Sequence, residues 1–117
     1  MKQFLPRELQ KFQAADREQC GVLIETSKGI RIVEVFNAHG CPESYAIRLA
    51  DYNTVESCLP KGEKIHGFFH THLAHHNAKP SDDDLNGAAL NPKLANCVYQ
   101  PSTGIVTWYG NLAEVEI

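Results

Sequence analysis

The pattern of hydrophobic and polar positions divides the chain into short apolar runs separated by polar turns. Runs that are rich in β-branched and aromatic residues predict strands at residues 20–26, 29–38, 43–49, 64–70, 94–100 and 104–110. The first two runs are joined by a short turn at Ser27 and Lys28, which predicts a hairpin. The last two flank a turn from Pro101 to Gly104, and they predict a pair of closing strands.

Three other segments have helical signals. Apolar residues in the segment 3–15 fall on one helical stripe and predict a short amphipathic helix. Asp51 is a suitable N-cap for a helix through residues 52–59. Ser81 is a suitable N-cap for a helix through residues 82–90.

The predicted strands and helices intermix without an internal repeat, a low-complexity segment or a linker. This order predicts one α/β (α+β) layered domain over residues 1–117. A chain of 117 residues with 43% hydrophobic residues is large enough for one modest core and too short for two. Cys20 and Cys97 fall inside predicted strands, and we expect them to be buried thiols.

Charge and hydropathy exclude several classes of partner. The formal net charge is -3 and the basic residues are scattered, so no basic face is available for phosphates and we expect no nucleic-acid partner. No apolar run has the length of a signal peptide or a membrane span. We therefore expect a cytoplasmic protein that does not associate with membranes.

Residues 67–85, with the sequence GFFHTHLAHHNAKPSDDDL, hold four of the six histidines and three consecutive aspartates. His70 and His72 are two positions apart in a strand, so both side chains leave the same face. Zinc binds about four ligands, one of which is water in a catalytic site, so a third protein ligand is needed. Asp84 is the candidate, because it lies one helical turn from Ser81 and faces the same way.

The same run has a second interpretation. Ser81 and Asp84 also fit a capping box, in which the two side chains satisfy the first backbone N–H groups of a helix. The helix dipole favours acidic residues at such a position in any case. A hydrolytic zinc site further needs a base, and Glu18, immediately before the first strand, is best placed. An acidic residue at such a junction is also typical of solvated surface.

Taken together, these motifs resemble a known family. Residues 18–21, 70–72 and 80–84 resemble the signature of the JAMM metalloproteases of the JAB/MPN superfamily, in which a glutamate precedes HxH and a downstream SxxD. Residues 37–52 resemble the bacterial and bacteriophage branch, in particular the amino-terminal domain of phage tail assembly proteins related to lambda K. The resemblance implies an MPN/JAB-like fold, a mixed curved sheet flanked by helices with cytidine-deaminase-like layering.

The resemblance also implies a role for each motif residue. Zn2+ would be bound by His70, His72 and Asp84, while Glu18 would handle the proton of the attacking water and Ser81 would stabilise the oxyanion. The family usually has proline directly after HxH, where this chain has Leu73. The following loop carries His75 and His76, which we expect to be exposed and dispensable for zinc, because adjacent side chains of an extended chain point apart.

The implied activity is zinc-dependent hydrolysis of a peptide or isopeptide bond. The implied substrate is the tail of a ubiquitin-like protein or a phage tail protein, bound in an open groove by strand addition. The alternative is a non-catalytic, zinc-stabilised module for tail assembly or protein binding. A zinc deaminase is disfavoured because the chain has no HxE and no PCxxC. A cupin would need many more strands.

Overall fold

The computed structural model describes residues 3–13 and 16–111, which form one mixed sheet with helices around it. The elements are a 3-10 helix at Leu9–Lys11 and then β1 (Cys20–Thr26), β2 (Gly29–Val35), α1 (Leu49–Ser57), β3 (Lys64–Thr71), α2 (Asp82–Leu90), β4 (Ala95–Gln100) and β5 (Ile105–Gly110). The strand order is β2-β1-β3-β4-β5. β3 and β4 are parallel, and the other neighbouring strands are antiparallel. The predicted α+β fold is confirmed.

One face of the sheet carries the main hydrophobic core, and the amino-terminal segment covers it. Phe12, Leu23 and Phe69 are buried there together. The ring of Phe4 stacks on Trp108 of β5 at a centroid distance of 5.4 Å. The backbone next to Phe4 pairs with β2, the opposite edge of the sheet. One short segment thus contacts both edge strands of the sheet.

The other face of the sheet carries α2 and the polar chemistry. Ala88 of α2 packs against Val98 of β4 and Tyr109 of β5. β3 approaches β4 very closely at Gly67, where a Cβ atom would lie 1.8 Å from the carbonyl oxygen of Ala95. No other residue fits at this position without moving a strand.

The predicted strand at residues 43–49 is not formed, which corrects the sequence interpretation. Residues 44–48 run as irregular chain across the second face of the sheet. The Asn37 side chain holds this segment by donating to the Ser44 carbonyl at 2.9 Å and accepting from the Ala46 N–H at 3.1 Å. These backbone groups therefore bond to one buried side chain, where a strand would have bonded to a neighbouring strand.

Two predicted helix limits and one strand limit are also wrong. The helix predicted over residues 3–15 is reduced to the 3-10 helix, because Arg7 has a φ of 73° that a right-handed helix excludes. Residues 14–15 of that prediction lie outside the described residues. Asp51 is not an N-cap, since α1 starts two residues earlier and the Asp51 carboxylate pairs with the Arg48 guanidinium at 2.8 Å. β2 ends at Val35, three residues before the predicted end.

Several other predictions are confirmed. α2 begins after Ser81, as the capping signal indicated. Cys20 and Cys97 are buried free thiols in β1 and β4. Among residues 3–13 and 16–111, no helix is long and apolar enough to cross a membrane.

Candidate metal centre

Two histidines lie at the carboxyl end of β3, on the face opposite the main core. His70 is fully buried, and His72 is 7% exposed. His72 is one residue beyond the strand, but its N–H donates to the Tyr99 carbonyl at 2.9 Å and so continues the alignment with β4. Phe69, which directly precedes His70, points to the opposite face and is buried in the main core.

Asp84 connects both histidines to the start of α2. Its Oδ2 atom lies 3.2 Å from His70 Nε2 and 3.3 Å from His72 Nε2. The same Oδ2 accepts the Ser81 N–H at 2.8 Å, while Ser81 Oγ accepts the Asp84 N–H at 3.1 Å. The capping box and the histidine contacts therefore coexist, so the two interpretations of this run do not exclude one another.

The hydrogen bond at the second ring nitrogen of His72 fixes the tautomer of the ring. His72 Nδ1 lies 2.6 Å from the carbonyl oxygen of Asn77, which can only accept, so Nδ1 carries the ring hydrogen. In the neutral ring the lone pair then lies on Nε2, facing Asp84 Oδ2. Two acceptors at this distance repel one another unless a proton or a cation lies between them.

These residues fit zinc by distance and by donor type. Zinc bonds of about 2.0 Å, arranged as a tetrahedron, place neighbouring ligand atoms about 3.3 Å apart, which is the spacing seen around Asp84 Oδ2. Imidazole and carboxylate are both common zinc ligands. His70 Nδ1 is buried without a hydrogen-bond partner among the described residues, so Nε2 is the nitrogen that takes part in the cluster.

Glu18 completes what we call the buried cluster, which consists of Glu18, His70, His72 and Asp84. Glu18 is 4% exposed, and ligand atoms of Glu18, His70 and His72 lie within 4.8 Å of one another. Glu18 is therefore buried and does not belong to the solvated surface that is typical of such a junction. The four residues come from three separate parts of the chain.

The backbone around Glu18 is fixed from two sides. Its N–H donates to the Pro42 carbonyl and its carbonyl accepts from the Asn37 side chain, both at 2.9 Å. The next residue, Gln19, donates its N–H to Thr71 Oγ1 and accepts the Thr71 N–H, again at 2.9 Å. Glu18 is thereby tied to the end of β3, directly beside the histidines.

Burial and hydrogen bonding shift the two carboxyl groups of the buried cluster in opposite directions. Burial raises the pKa of Glu18 to about 8, against the attraction of His72. Burial acts in the same sense on Asp84, but hydrogen bonds from His70 and His72 outweigh it and hold the pKa of Asp84 well below its usual range. One carboxyl group thus stays an anion while the other can exchange a proton near neutral pH.

Three contacts of the cluster had no signal in the sequence. Tyr45 stacks on the His70 ring at a centroid distance of 4.3 Å and an interplanar angle of 17°. Asn37 and the Asn77 carbonyl hold Glu18 and His72, as described above. Tyr45 and Asn37 lay in segments that the pattern assigned to strands, and Asn77 lay in a polar loop.

The loop after His72 carries two further histidines, which meet Glu43 from another part of the chain. We call this group the rim cluster: Glu43, His75 and His76. His75 Nε2 lies 3.0 Å from Glu43 Oε1, and His76 Nε2 lies 3.6 Å from Glu43 Oε2. Hydrogen bonding from His75 lowers the pKa of Glu43. His75 is exposed as predicted, whereas His76 is half-buried.

The prediction that His75 and His76 point apart is wrong. A turn closed by the His76 N–H and the Leu73 carbonyl at 2.9 Å brings the two rings to a centroid distance of 4.3 Å. Gln100 fixes this turn, because its buried amide donates to the carbonyl oxygens of Leu73, Ala74 and His76. The extended-chain rule does not hold inside a turn.

A groove of about 460 Å3 runs beside Asp84. Its walls are the irregular segment 44–47 on one side and α2 on the other, and Phe68 of β3 lies between them. Tyr45 and Ile47 make this wall partly apolar, and Leu90 on α2 is 82% exposed. The groove is therefore open to a ligand that runs along the sheet toward the buried cluster.

The chain belongs to the family of prokaryotic homologues of the JAB domain, whose family model matches residues 9–115. This match confirms the family predicted from the motifs. The fold is similar to the solution structure of a protein from Salinibacter ruber, with 20% sequence identity and a TM-score of 0.56 over 94% of this chain and 81% of that chain. At this identity the likeness concerns the fold alone. No curated protein matches the chain.

Proposed function

We propose that this protein is a zinc-dependent hydrolase of peptide or isopeptide bonds, of the JAMM type. The observation that carries the proposal is the convergence of His70 Nε2 and His72 Nε2 on Asp84 Oδ2, beside the buried carboxyl group of Glu18. A cap needs only Ser81 and Asp84. The two histidines and Glu18 add nothing to capping, but each has a role in hydrolysis.

Zinc would be held by His70, His72 and Asp84, and when bound it would polarise the substrate carbonyl and make its water more acidic. His72 is prepared for this role because the Asn77 carbonyl keeps the ring hydrogen on Nδ1. His70 is held by the stacked ring of Tyr45. Both imidazoles are thus oriented by contacts that do not depend on the metal.

Glu18 is the proton carrier. Its carboxylate takes the proton of the attacking water and later delivers it to the leaving amine. Burial suits this role, since a solvated carboxyl group would be too weak a base to hold the proton between the two steps. The bonds of its backbone to Pro42 and Asn37 keep it in place throughout.

Ser81 is the proposed donor to the developing oxyanion. Its Oγ accepts the Asp84 N–H, so the hydroxyl hydrogen remains available to donate. Removal of such a donor typically costs roughly 3 kcal/mol of transition-state stabilisation. Ser81 is exposed at the start of α2, where a substrate carbonyl can approach it.

We propose an extended polypeptide as the substrate, lying in the groove between the segment 44–47 and α2. The lining by Tyr45, Ile47 and Phe68 suits apolar side chains of such a segment. The candidate substrates are the tail of a ubiquitin-like protein and a phage tail protein. The Ser44 carbonyl and both backbone groups of Ala46 already have partners, so strand pairing with the extended substrate would use other backbone groups of this wall.

A non-catalytic module is the second candidate. The capping box and the core contacts of Ala88 show that α2 is held in place by residues other than the histidines. A protein that uses zinc only for stability would need His70, His72 and Asp84 and would not need Glu18.

The variant Glu18→Gln separates these two functions. Glutamine has nearly the same shape but cannot accept the proton, so we expect zinc content and melting temperature to stay at the parent level while hydrolysis falls by about 10²- to 10⁴-fold. The measurements are elemental analysis, thermal unfolding and cleavage of a ubiquitin-like protein fused through its tail to a reporter. Glu56→Gln, an exposed change on α1, is the matched control.

Equal cleavage by the parent and by Glu18→Gln would exclude Glu18 as the base. A parent protein that binds zinc but cleaves neither ubiquitin-like nor phage tail fusions would favour the binding module.

A further inference from the structure

The rim cluster has the composition of a metal site but no part in the proposed hydrolysis. Ligand atoms of Glu43, His75 and His76 lie within 4.8 Å of one another. Two imidazoles and a carboxylate are a donor set that suits divalent ions of the zinc class. We propose that the rim cluster binds a second such ion, independently of the buried cluster.

The geometry of the three side chains supports a shared ion. Both histidines present Nε2 to the same carboxylate, one to each oxygen, at 3.0 Å and 3.6 Å. These separations are close to the spacing of about 3.3 Å between neighbouring ligands of a tetrahedral zinc ion. Small side-chain rotations would bring all three ligand atoms to bonding distance.

The loop that carries the histidines is rigidly held, which lowers the cost of binding. The amide of Gln100 donates to three carbonyls of the turn, those of Leu73, Ala74 and His76, and the turn also has its own backbone bond. At the far end of the loop, Asn77 is bonded to His72. The two imidazoles are therefore placed before any ion arrives, as a metal site requires.

Exposure sets the expected strength of the site. The side chains of Glu43 and His75 are 49% and 63% exposed, so water competes for the ion and completes its coordination. His76 contacts Glu43 and not Asp84, although its ring lies 6.1 Å from the ring of His72. The rim cluster is therefore a separate, weaker site beside the buried one, and not an alternative set of ligands for it.

Occupancy would connect two segments that are distant in sequence. Glu43 lies two residues before Tyr45, which covers His70, and the two histidines lie in the loop after His72. An ion held by all three residues would fix these segments to each other. The bound state should accordingly be more resistant to heat than the state with the buried site alone filled.

The test is a zinc titration of the full chain, stripped of metal, by isothermal calorimetry. We expect two zinc-binding steps in the parent, a tight one and a weaker one. The melting temperature, measured by thermal unfolding at each zinc concentration, should rise further across the weaker step. Glu43→Gln and the double change His75→Ala with His76→Ala should abolish the weaker step and that rise. Loss of an outer-shell partner lowers metal affinity about 10- to 100-fold, and loss of a direct ligand should lower it more. Glu56→Gln should keep both steps.

A variant with His70→Ala separates this inference from the proposed function. It should lose the tight step and keep the weaker one, because the rim cluster has its own ligands. A single step in the parent, or a weaker step that persists in both rim variants, would overturn the inference. Because Glu43 and His75 are exposed and His76 is half-buried, the two rim variants should unfold much like the parent when metal is absent, and this comparison shows that a lost weaker step is not due to misfolding.

Discussion

The buried cluster and the rim cluster each combine two histidines with carboxyl groups, and their histidines lie within a few positions of each other, yet their physical settings are opposite. In the buried cluster, His72 and Asp84 each have a second contact that fixes their orientation, through the Asn77 carbonyl and the Ser81 N–H. Burial there raises the pKa of Glu18 to about 8. In the rim cluster the side chains are open to water. Burial and supporting contacts, more than residue type, distinguish the candidate catalytic site.

The largest expected difference between the two clusters is the loss of tight zinc binding when a ligand of the buried cluster is removed. Asp84→Ala removes one direct ligand, so we expect tight zinc binding to fall to near zero by elemental analysis, with hydrolysis lost as well. The same change removes half of the capping box, which should cost about 1 kcal/mol of stability even without metal. Asp83→Ala, an exposed neighbour in the same helix turn, is the control. Unchanged tight binding in Asp84→Ala would remove Asp84 from the ligand set.

Thiol labelling should report the two settings separately. Cys20 pairs with His70 across β1 and β3, whereas Cys41 is exposed two residues before Glu43. Burial raises the pKa of Cys20 from 9.0 to about 12. We expect Cys20 to react much more slowly than Cys41 with iodoacetamide, followed by mass spectrometry, because burial keeps the reagent away from Cys20 and disfavours its thiolate.

Zinc at the buried cluster should slow labelling of Cys20 further and leave Cys58, which is exposed at the end of α1, unaffected as an internal control. Equal rates for Cys20 and Cys41 in the native protein would show that the sheet behind the buried cluster opens readily.

The sequence predicted the regular parts of the fold well because their signals are local. β1 and α2 have the predicted limits. His70, His72 and Asp84 lie together in the structure, as the motif spacing predicted. Segment 43–49 has strand-like composition, but a strand also needs a neighbour with free backbone groups, and this segment bonds to Asn37. Which partner a segment finds depends on tertiary structure, which local pattern does not contain.

The same reason explains the missed parts of the site. Tyr45 reaches His70 from 25 positions away in sequence, and the pairing of Glu43 with His75 spans 32 positions. The adjacency of His75 and His76 was misleading because their backbone is in a turn, and Gln100 stabilises that turn from β4. Motif spacing identifies ligands, whereas supporting contacts require the folded chain.

A smaller effect is expected from Asn37→Ala, which removes a support of the buried cluster without touching its ligands. The change leaves the Ser44 and Glu18 carbonyls and the Ala46 N–H without their partner, so we expect a loss of about 1–3 kcal/mol in urea unfolding. Asn53→Ala, an exposed change on α1, should have little effect. If both variants unfold at the same urea concentration, Asn37 is not the support that the structure indicates.

The smallest effect should come from Glu43→Gln in the absence of metal. The pair with His75 is solvent-exposed, and such pairs contribute little to stability. We expect no measurable change in the melting temperature of the metal-free protein. A fall of several degrees would show that the rim contacts hold the fold together without an ion, and the contrast between the two clusters would then be weaker than their burial suggests.

The order of the site residues along the chain has a consequence for how this protein can diversify. Both histidines and Asp84 come from the unbroken stretch 64–100, in which the crossover from β3 to β4 passes through α2, while Glu18 precedes β1. The proposed metal ligands thus lie in one block of sequence, and the proposed proton carrier lies apart from them. Under the proposed function, a single substitution at residue 18 would convert a hydrolase into a metal-bearing scaffold with its groove intact, and the reverse substitution would restore it. Turnover would then depend on a position that neither the metal ligands nor the crossover through α2 requires.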